Sequence, residues 1–189
     1  MSDLTTERLL MRRWRPADLE PFARMNADPL VMEHFPGLMT RAQSDEFAER
    51  IEQGFERHGF GLWAVELPGE APFVGFVGLS VPGFEAPFMP AVEIGWRLDA
   101  AWWGRGIATE AARAAAAYGF GPAGLDELVS FTAPANLRSR AVMERIGMTH
   151  DAAGDFDHPR LPAGHHLRRH VLYRLRRDAQ PNFQEPPAT

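Results

Sequence analysis

Val92-Glu93-Ile94-Gly95-Trp96-Arg97-Leu98-Asp99-Ala100-Ala101-Trp102-Trp103-Gly104-Arg105-Gly106-Ile107-Ala108-Thr109-Glu110-Ala111 carries the deciding pattern of this 189-residue chain. Its first seven residues read as a strand, its last five open a helix, and two glycines punctuate the turn between them. A helix that starts at such a turn offers backbone N–H groups without intrahelical acceptors and the positive end of its dipole, both suited to a phosphate. Gly104 and Gly106 have no Cβ and let the backbone approach a ligand closely. Arg105 adds a permanent positive charge and Thr109 a hydroxyl. A tight turn with no ligand is the plainer reading of Gly-x-Gly. The segment is not a dinucleotide fingerprint, because the third glycine would fall at Thr109. The alanines that follow (Ala111, Ala112, Ala114 to Ala117) read as a helix packed closely on a sheet.

Outward from this segment the chain alternates strands and helices. Leu9 to Trp14 predicts a first strand, and Arg15-Pro16 opens a helix with Leu19, Phe22 and Ala23 on one face. Pro29 to Phe35 predicts a short helical piece ending at Pro36-Gly37. Thr40 with Gln43 makes a capping box for a helix whose stripe is Phe47, Ile51 and Phe55. Gly61 to Glu66 and Phe73 to Leu79 predict a hairpin about Pro68-Gly69-Glu70. After a Pro-rich loop (Pro82 to Pro90) come a strand (Ala91 to Leu98), a helix (Ile107 to Tyr118), a strand (Leu128 to Thr132), a helix (Leu137 to Ile146) and a last strand (Val171 to Leu175). One α/β domain over residues 1–177, with a mixed sheet and helices on both faces, satisfies that order. Residues 178–189, rich in Pro, Gln and Asn, read as a loose tail.

Composition narrows the function classes. At 45% hydrophobic and 24% charged residues the chain is globular, and it has no apolar run long enough for a bilayer span. The N-terminus is polar and acidic, unlike a signal peptide, so a cytoplasmic location is expected. A net charge of −5 argues against nucleic acid and mildly favours cationic partners. There is no cysteine, hence no disulfide, no Cys-ligated zinc and no thiol nucleophile. There is no lysine either: all 20 basic residues are Arg. That removes Schiff-base chemistry and a phosphate loop ending in Gly-Lys-Ser/Thr; a GC-rich genome is the simplest source of the bias.

Trp103-Gly104-Arg105-Gly106-Ile107-Ala108 resembles the acyl-CoA-binding motif of the Gcn5-related N-acetyltransferases, Gln/Arg-x-x-Gly-x-Gly/Ala, with Trp in the first place as in the ribosomal-protein alanine N-acetyltransferase branch. Asn136 to Met148 is similar to that branch's Asn-x-x-Ser-x-x-Val-x-x-Lys-x-Gly-Phe. Thr6 to Arg12 is similar to its opening, and His170 to Tyr173 to its closing strand. The resemblance spans about Thr5 to Arg176, and several motifs in the right order are more specific than one. It implies a V-shaped splay between the fourth strand (Ala91 to Leu98) and the fifth (Leu128 to Thr132), where the pantetheine arm of acetyl-CoA pairs with the backbone of Trp96, Arg97 and Leu98. It places the diphosphate on the amides of Arg105, Gly106, Ala108 and Thr109, within a donor segment that also holds Trp103, Gly104 and Ile107. Asn136 and Ser139 would face the arm and its sulfur. The family needs no metal.

Acetyl transfer to an amine requires a neutral nucleophile, a stabilised oxyanion and a protonated leaving thiolate. An alkyl ammonium must first lose a proton. Glu93 is the candidate base, through a water, against the plainer reading of a solvated strand carboxylate. Many relatives use a tyrosine as general acid; its counterpart here is about Met143, which donates no proton, while Tyr118 and Tyr173 read as packing residues. Ser139 remains the candidate donor to the sulfur, and the N–H of Ile94 or Gly95 the candidate for the oxyanion. Glu33, His34 and Phe35, with Phe84 and Phe88 of the Pro-rich loop, frame a candidate cleft for the amine acceptor, a small molecule or a peptide N-terminus; Phe84, Phe88 and Met89 read equally well as the contact of a homodimer. His158, His165, His166 and His170 read as a closing loop and strand edge rather than a metal site. Two other readings stay open: a non-catalytic acyl-CoA-binding or interaction protein on the same fold, and an unrelated nucleotide-binding domain.

Overall fold

A computed structural model describes residues 3–179. Nine strands, among the described residues, form one mixed sheet: β1 (Leu4–Thr5), β2 (Leu10–Arg12), β3 (Leu62–Leu67), β4 (Ala71–Ser80), β5 (Glu93–Leu98), β6 (Glu127–Thr132), β7 (Thr149–His150), β8 (Phe156–Asp157) and β9 (Arg169–Arg176). The spatial order is β1-β2-β3-β4-β5-β6-β9-β7, with β8 on the far part of β9. Four helices accompany it: α1 (Leu19–Asn26), α2 (Arg41–His58), α3 (Ile107–Phe120) and α4 (Leu137–Arg145). No helix among the described residues is long and apolar enough to cross a membrane.

The local signals act as their chemistry dictates. Thr40 Oγ1 accepts the amide of Gln43 at 3.3 Å while Gln43 Oε1 accepts the amide of Thr40 at 2.8 Å, so the capping box starts α2. Pro16 opens a single 3₁₀ turn that runs into α1. Pro68-Gly69-Glu70 turn the β3–β4 hairpin. One expected element does not form: residues 29–35 are a series of turns, not a helix. Asp28 Oδ1 accepts the amide of Leu30 at 2.8 Å, a side-chain contact that competes with a helical ladder, and Pro36 ends any continuation. The short strands β1, β7 and β8 were too brief to show in the pattern. The tail expected from Asp178 begins in a 3₁₀ turn, Arg177–Ala179, and from residue 180 lies outside the described residues.

Helices cover both faces. On one, Phe22 of α1 and Phe47 of α2 meet Phe76 of β4 at centroid distances of 5.9 and 5.8 Å. On the other, Ala111, Ala112, Ala115 and Ala116 are fully buried, so α3 sits close on the sheet; a Cβ at Gly119 would stand 3.2 Å from Leu79 and 3.4 Å from Leu128. A buried ion pair fastens the edge of the sheet: Arg12, 2% exposed, holds Asp18 at 2.8 Å and Glu66 at 2.8 Å.

The feature that makes a site is the middle of the sheet. β4 pairs with β5 at six positions and β6 with β9 at six, but β5 and β6 run parallel and meet only at Glu93 and Val129. Beyond that pair they diverge, giving the expected V.

Candidate functional site

The splay opens into a cleft of about 1880 Å³ that runs from the turn before α3, past β5, to the irregular segment before α2. Val92 O accepts the amide of Val129 at 2.9 Å, which fixes the direction of the β5 backbone. Peptide groups alternate along a strand, so Ile94, Trp96 and Leu98 point their N–H and C=O into the gap while Gly95 and Arg97 point theirs at β4. This narrows two expectations. Of the two oxyanion candidates, Gly95 faces β4, and Ile94 faces β6 but gives its amide to the lone bridge with Val129, so neither amide is free. Of the three backbone partners for an extended arm, Trp96 and Leu98 qualify and Arg97 does not; Leu98 O is already taken by Trp103 Nε1 at 2.9 Å.

At the turn, Gly104 has φ +74° and Gly106 φ +80°, left-handed conformations that glycine adopts without cost. A Cβ at Gly104 would meet nothing within 4 Å, so the turn is open above the backbone. Glu110 is the first amide of α3 to find a carbonyl, that of Gly106 at 3.0 Å. The amides of Arg105 to Thr109 have no acceptor among the described residues. The side chain of Arg105 departs from expectation: it pairs with Glu70 at 2.9 Å, stacks on Trp102 and leaves the cleft. Arg8 stands in its place. It is held by Glu110 at 2.6 Å, donates to Arg105 O at 3.1 Å, and lies 3.5 Å from where a Gly106 Cβ would be. The start motif contained Arg8, but only the long-range pairing with Glu110 shows why it comes here.

α4 supplies the opposite wall. Asn136 spends its amide on structure: Oδ1 caps α4 by accepting the Ser139 amide at 3.1 Å, and Nδ2 donates to Thr132 Oγ1 at 2.9 Å. Ser139 Oγ accepts from Trp96 Nε1 at 3.2 Å, and its own hydroxyl hydrogen has no acceptor among the described residues. Met143 is buried; Tyr173 is buried with its hydroxyl on Glu144, and Tyr118 donates to Gly59 O. Neither tyrosine is positioned for the cleft.

Glu93 lies on the other face of β5, its carboxylate over Gly95 and 3.5 Å from Ser80 Oγ. Surrounding protein desolvates it and pushes its pKa up to about 7; the long contact with Ser80 offsets this only in part. No cation among the described residues pairs with it. On the same face Arg97 is 8% exposed, under the ring of Phe35 at 4.0 Å and between Phe47 and Phe76. Burial lowers its pKa to about 10.

Toward the acceptor end, His34, Phe35 and Phe84 line the cleft, whereas Glu33 and Phe88 do not. Glu33 turns outward to Arg138 at 2.8 Å, and Arg138 lies 4.4 Å over the ring of Trp103, a bridge from the segment before α2 to α4. Phe88 packs behind Phe84, in a cluster with Phe131 and Phe156. His158 and His170, read from sequence as loop and edge, line the cleft beside Phe84. Burial, with help from His170 and Arg160, lowers the His158 pKa to about 4, so the ring is neutral at ordinary pH. Among the described residues no group of three or more His, Cys, Asp or Glu is arranged to hold a metal.

Comparison with known proteins agrees with this architecture. The family model described as an acetyltransferase (GNAT) domain matches residues 8–149. An uncharacterised N-acetyltransferase of Bacillus subtilis, YnaD, is 30% identical over 77% of this chain and 81% of its own. The FsC-acetyl coenzyme A-N(2)-transacetylase of Aspergillus fumigatus is 41% identical over 49% of this chain and 40% of its own. A GNAT-family acetyltransferase from Bacillus anthracis, of known structure, superposes with a TM-score of 0.74 at 27% identity, covering 93% of this chain and 98% of that one. With the splayed strands and the open Gly-x-Gly turn, these likenesses place the chain in the GNAT acetyltransferase family.

Proposed function

We propose that the protein is an acetyl-CoA-dependent N-acetyltransferase, close to the ribosomal-protein alanine N-acetyltransferase branch in its motifs, that acetylates a primary amine by direct attack in a ternary complex. The observation that carries this is the pairing of two features at one splay: an amide-lined turn that is open above Gly104, and a desolvated carboxylate on the neighbouring strand. The residues fit the donor. The free amides from Arg105 to Thr109 and the cation of Arg8 suit a diphosphate, and the gap-facing carbonyls of Ile94 and Trp96 suit an extended amide-bearing arm. The donor supplies an activated acetyl thioester.

The chain's own groups then divide the proton work. Glu93, with a pKa near the operating pH, accepts the proton of the acceptor ammonium through a water, leaving a neutral amine. The amine nitrogen forms the C–N bond as the C–S bond breaks, and the second proton it loses passes to the departing thiolate. Beyond the bridge the first gap-facing amide of β5 is that of Trp96, which donates to the carbonyl oxygen while it carries charge. Ser139, its oxygen fixed by Trp96, turns its free hydroxyl hydrogen toward the departing sulfur. A thiolate leaves readily, so this hydrogen bond assists rather than drives the step.

Free-thiol release from acetyl-CoA, followed with a thiol reagent against a broad amine panel, tests the reading with no background, since the chain has no cysteine. Acetylated amine and stoichiometric thiol are expected. Saturable CoA binding with no turnover on any amine would favour a binding protein on the same fold, and no CoA binding would remove the donor assignment altogether.

A further inference from the structure

Among the described residues Arg97 is a buried cation without an anion. Only one of its three guanidinium nitrogens is well engaged: Nη1 donates to Asn26 Oδ1 at 2.6 Å and lies 3.9 Å from Met39 Sδ. Nε is buried with no partner, and Nη2 makes no hydrogen bond among the described residues. No carboxylate pairs with it. Arg12, equally withdrawn from solvent, shows what the same fold does with a buried guanidinium that serves structure: it receives Asp18 on two nitrogens and Glu66 on the third. Leaving a buried charge unpaired is expensive, so such a group is retained where something else brings the counter-charge.

The unpartnered groups have a shape. Nε and Nη2 form one edge of the planar guanidinium, the fork that takes both oxygens of a carboxylate. Phe35, Phe47 and Phe76 surround the cation with rings, which exclude water and strengthen any charge pair made there. Arg97 lines the same cleft as Glu93, on the same face of β5 and four residues along, about 13 Å between Cα atoms at strand rise. That distance leaves room for one molecule to reach both side chains.

We propose that Arg97 is a specificity-determining residue for the acceptor, and that the amine acetylated at the Glu93 end of the cleft carries a carboxylate held by the Nε–Nη2 edge of Arg97. The acceptor class is thus an amino acid or another small amino carboxylate. This rests on the acetyltransferase reading for the amine end only; the carboxylate end is independent of turnover.

The test uses matched sets: 6-aminohexanoic acid and lysine, the corresponding carboxamides, and the amines lacking the carboxylate. Thiol release gives kcat and KM for each, and calorimetry on the protein saturated with CoA gives binding without chemistry. Acids are expected to exceed their amides by about thirtyfold or more in kcat/KM, mainly through KM, the loss typical of removing one partner of a buried charge pair. Arg97→Met should abolish that preference, and its Tm should not fall, because it removes an unpaired buried charge. Asn26→Asp keeps Arg97 but offers it an internal carboxylate at Nη1; it should raise Tm and weaken the acids. Equal use or binding of acids and amides, or an Arg97→Met protein that keeps the preference, overturns the proposal while leaving acetyl transfer intact. Acids that bind through Arg97 yet are never acetylated would keep the carboxylate site but overturn its role in acceptor choice, while the acetyltransferase reading stands or falls on the amine panel.

Discussion

Replacing Glu93 by Gln should make the protein more stable and less active at once. The carboxyl titrates near 7 in the fold and at 4.5 in its ordinary state, the increase caused by desolvation. For an acid raised on folding, the native state holds the proton longer than the unfolded chain, so stability is lost as pH rises from the ordinary value through the folded one. The 2.5-unit difference corresponds to about 3 kcal/mol of destabilisation once pH is above 8, and under about 1 kcal/mol at pH 5. Gln keeps the volume and cannot ionise. Glu93→Gln should therefore melt about 6–12 °C higher than the wild type at pH 8.5, with the gap nearly closed at pH 5. Activity should move oppositely. Wild-type kcat/KM at saturating acetyl-CoA should rise with pH through an inflection near 7, and the variant should lose that inflection together with about 10²-fold or more of kcat. Scanning calorimetry at the two pH values and thiol release across the range provide both readings. A melting difference that does not depend on pH would show that the carboxyl is not desolvated; unchanged turnover would remove it from the chemistry.

Three further outcomes concern other parts of the molecule. Gly106→Val puts a β-branched side chain at φ +80° and beside Arg8, over the amides that face the donor, so calorimetry should show CoA binding lost while the far-UV spectrum is kept. Ser139→Ala should lower kcat by about tenfold or less with the CoA affinity little changed, since Trp96 loses an acceptor and the sulfur a single donor; a wild-type kcat would show that no donor is used there. Asp18→Ala, far from the cleft, leaves Arg12 buried with only Glu66, and chemical denaturation should register a loss of about 3 kcal/mol.

What could be read from the sequence was what depends on neighbours along the chain. The capping box at Thr40, the Pro68-Gly69 hairpin turn and the Ala-rich face of α3 are local choices, and each forms as its residues dictate. The splay between β5 and β6 and the open turn came through the motif resemblance. Residues 29–35 failed the helical expectation because a single side-chain contact from Asp28 and the proline at 36 outweigh apolar spacing over so short a stretch. Side-chain roles were less legible, since they depend on what the fold brings from elsewhere. Arg105 sits inside the motif but is drawn off by Glu70, while Arg8, about a hundred residues away in sequence, fills its place. Arg97 alternates with Trp96 and Leu98 along one strand, and nothing local says that its backbone turns to β4 and its side chain meets no acid.

Glu93 and Arg97 share a strand face, and each is held in the less comfortable state for its type: an acid whose pKa rises and a base whose pKa falls, both through burial. Neither shift has the other as a cause, so the two do not relieve one another. A fold selected for stability alone would bring such a pair into contact, or replace both by apolar residues of the same volume. Keeping them buried and separate sets a cost on the empty protein that a zwitterion of suitable length removes, giving its ammonium proton to one and its carboxylate to the other. The same arrangement discriminates: an amine without a carboxylate relieves only Glu93, and a carboxylate without an amine relieves only Arg97. Selectivity would then arise less from attractive contacts along the acceptor than from the strain left behind by molecules that match one end of the strand and not the other.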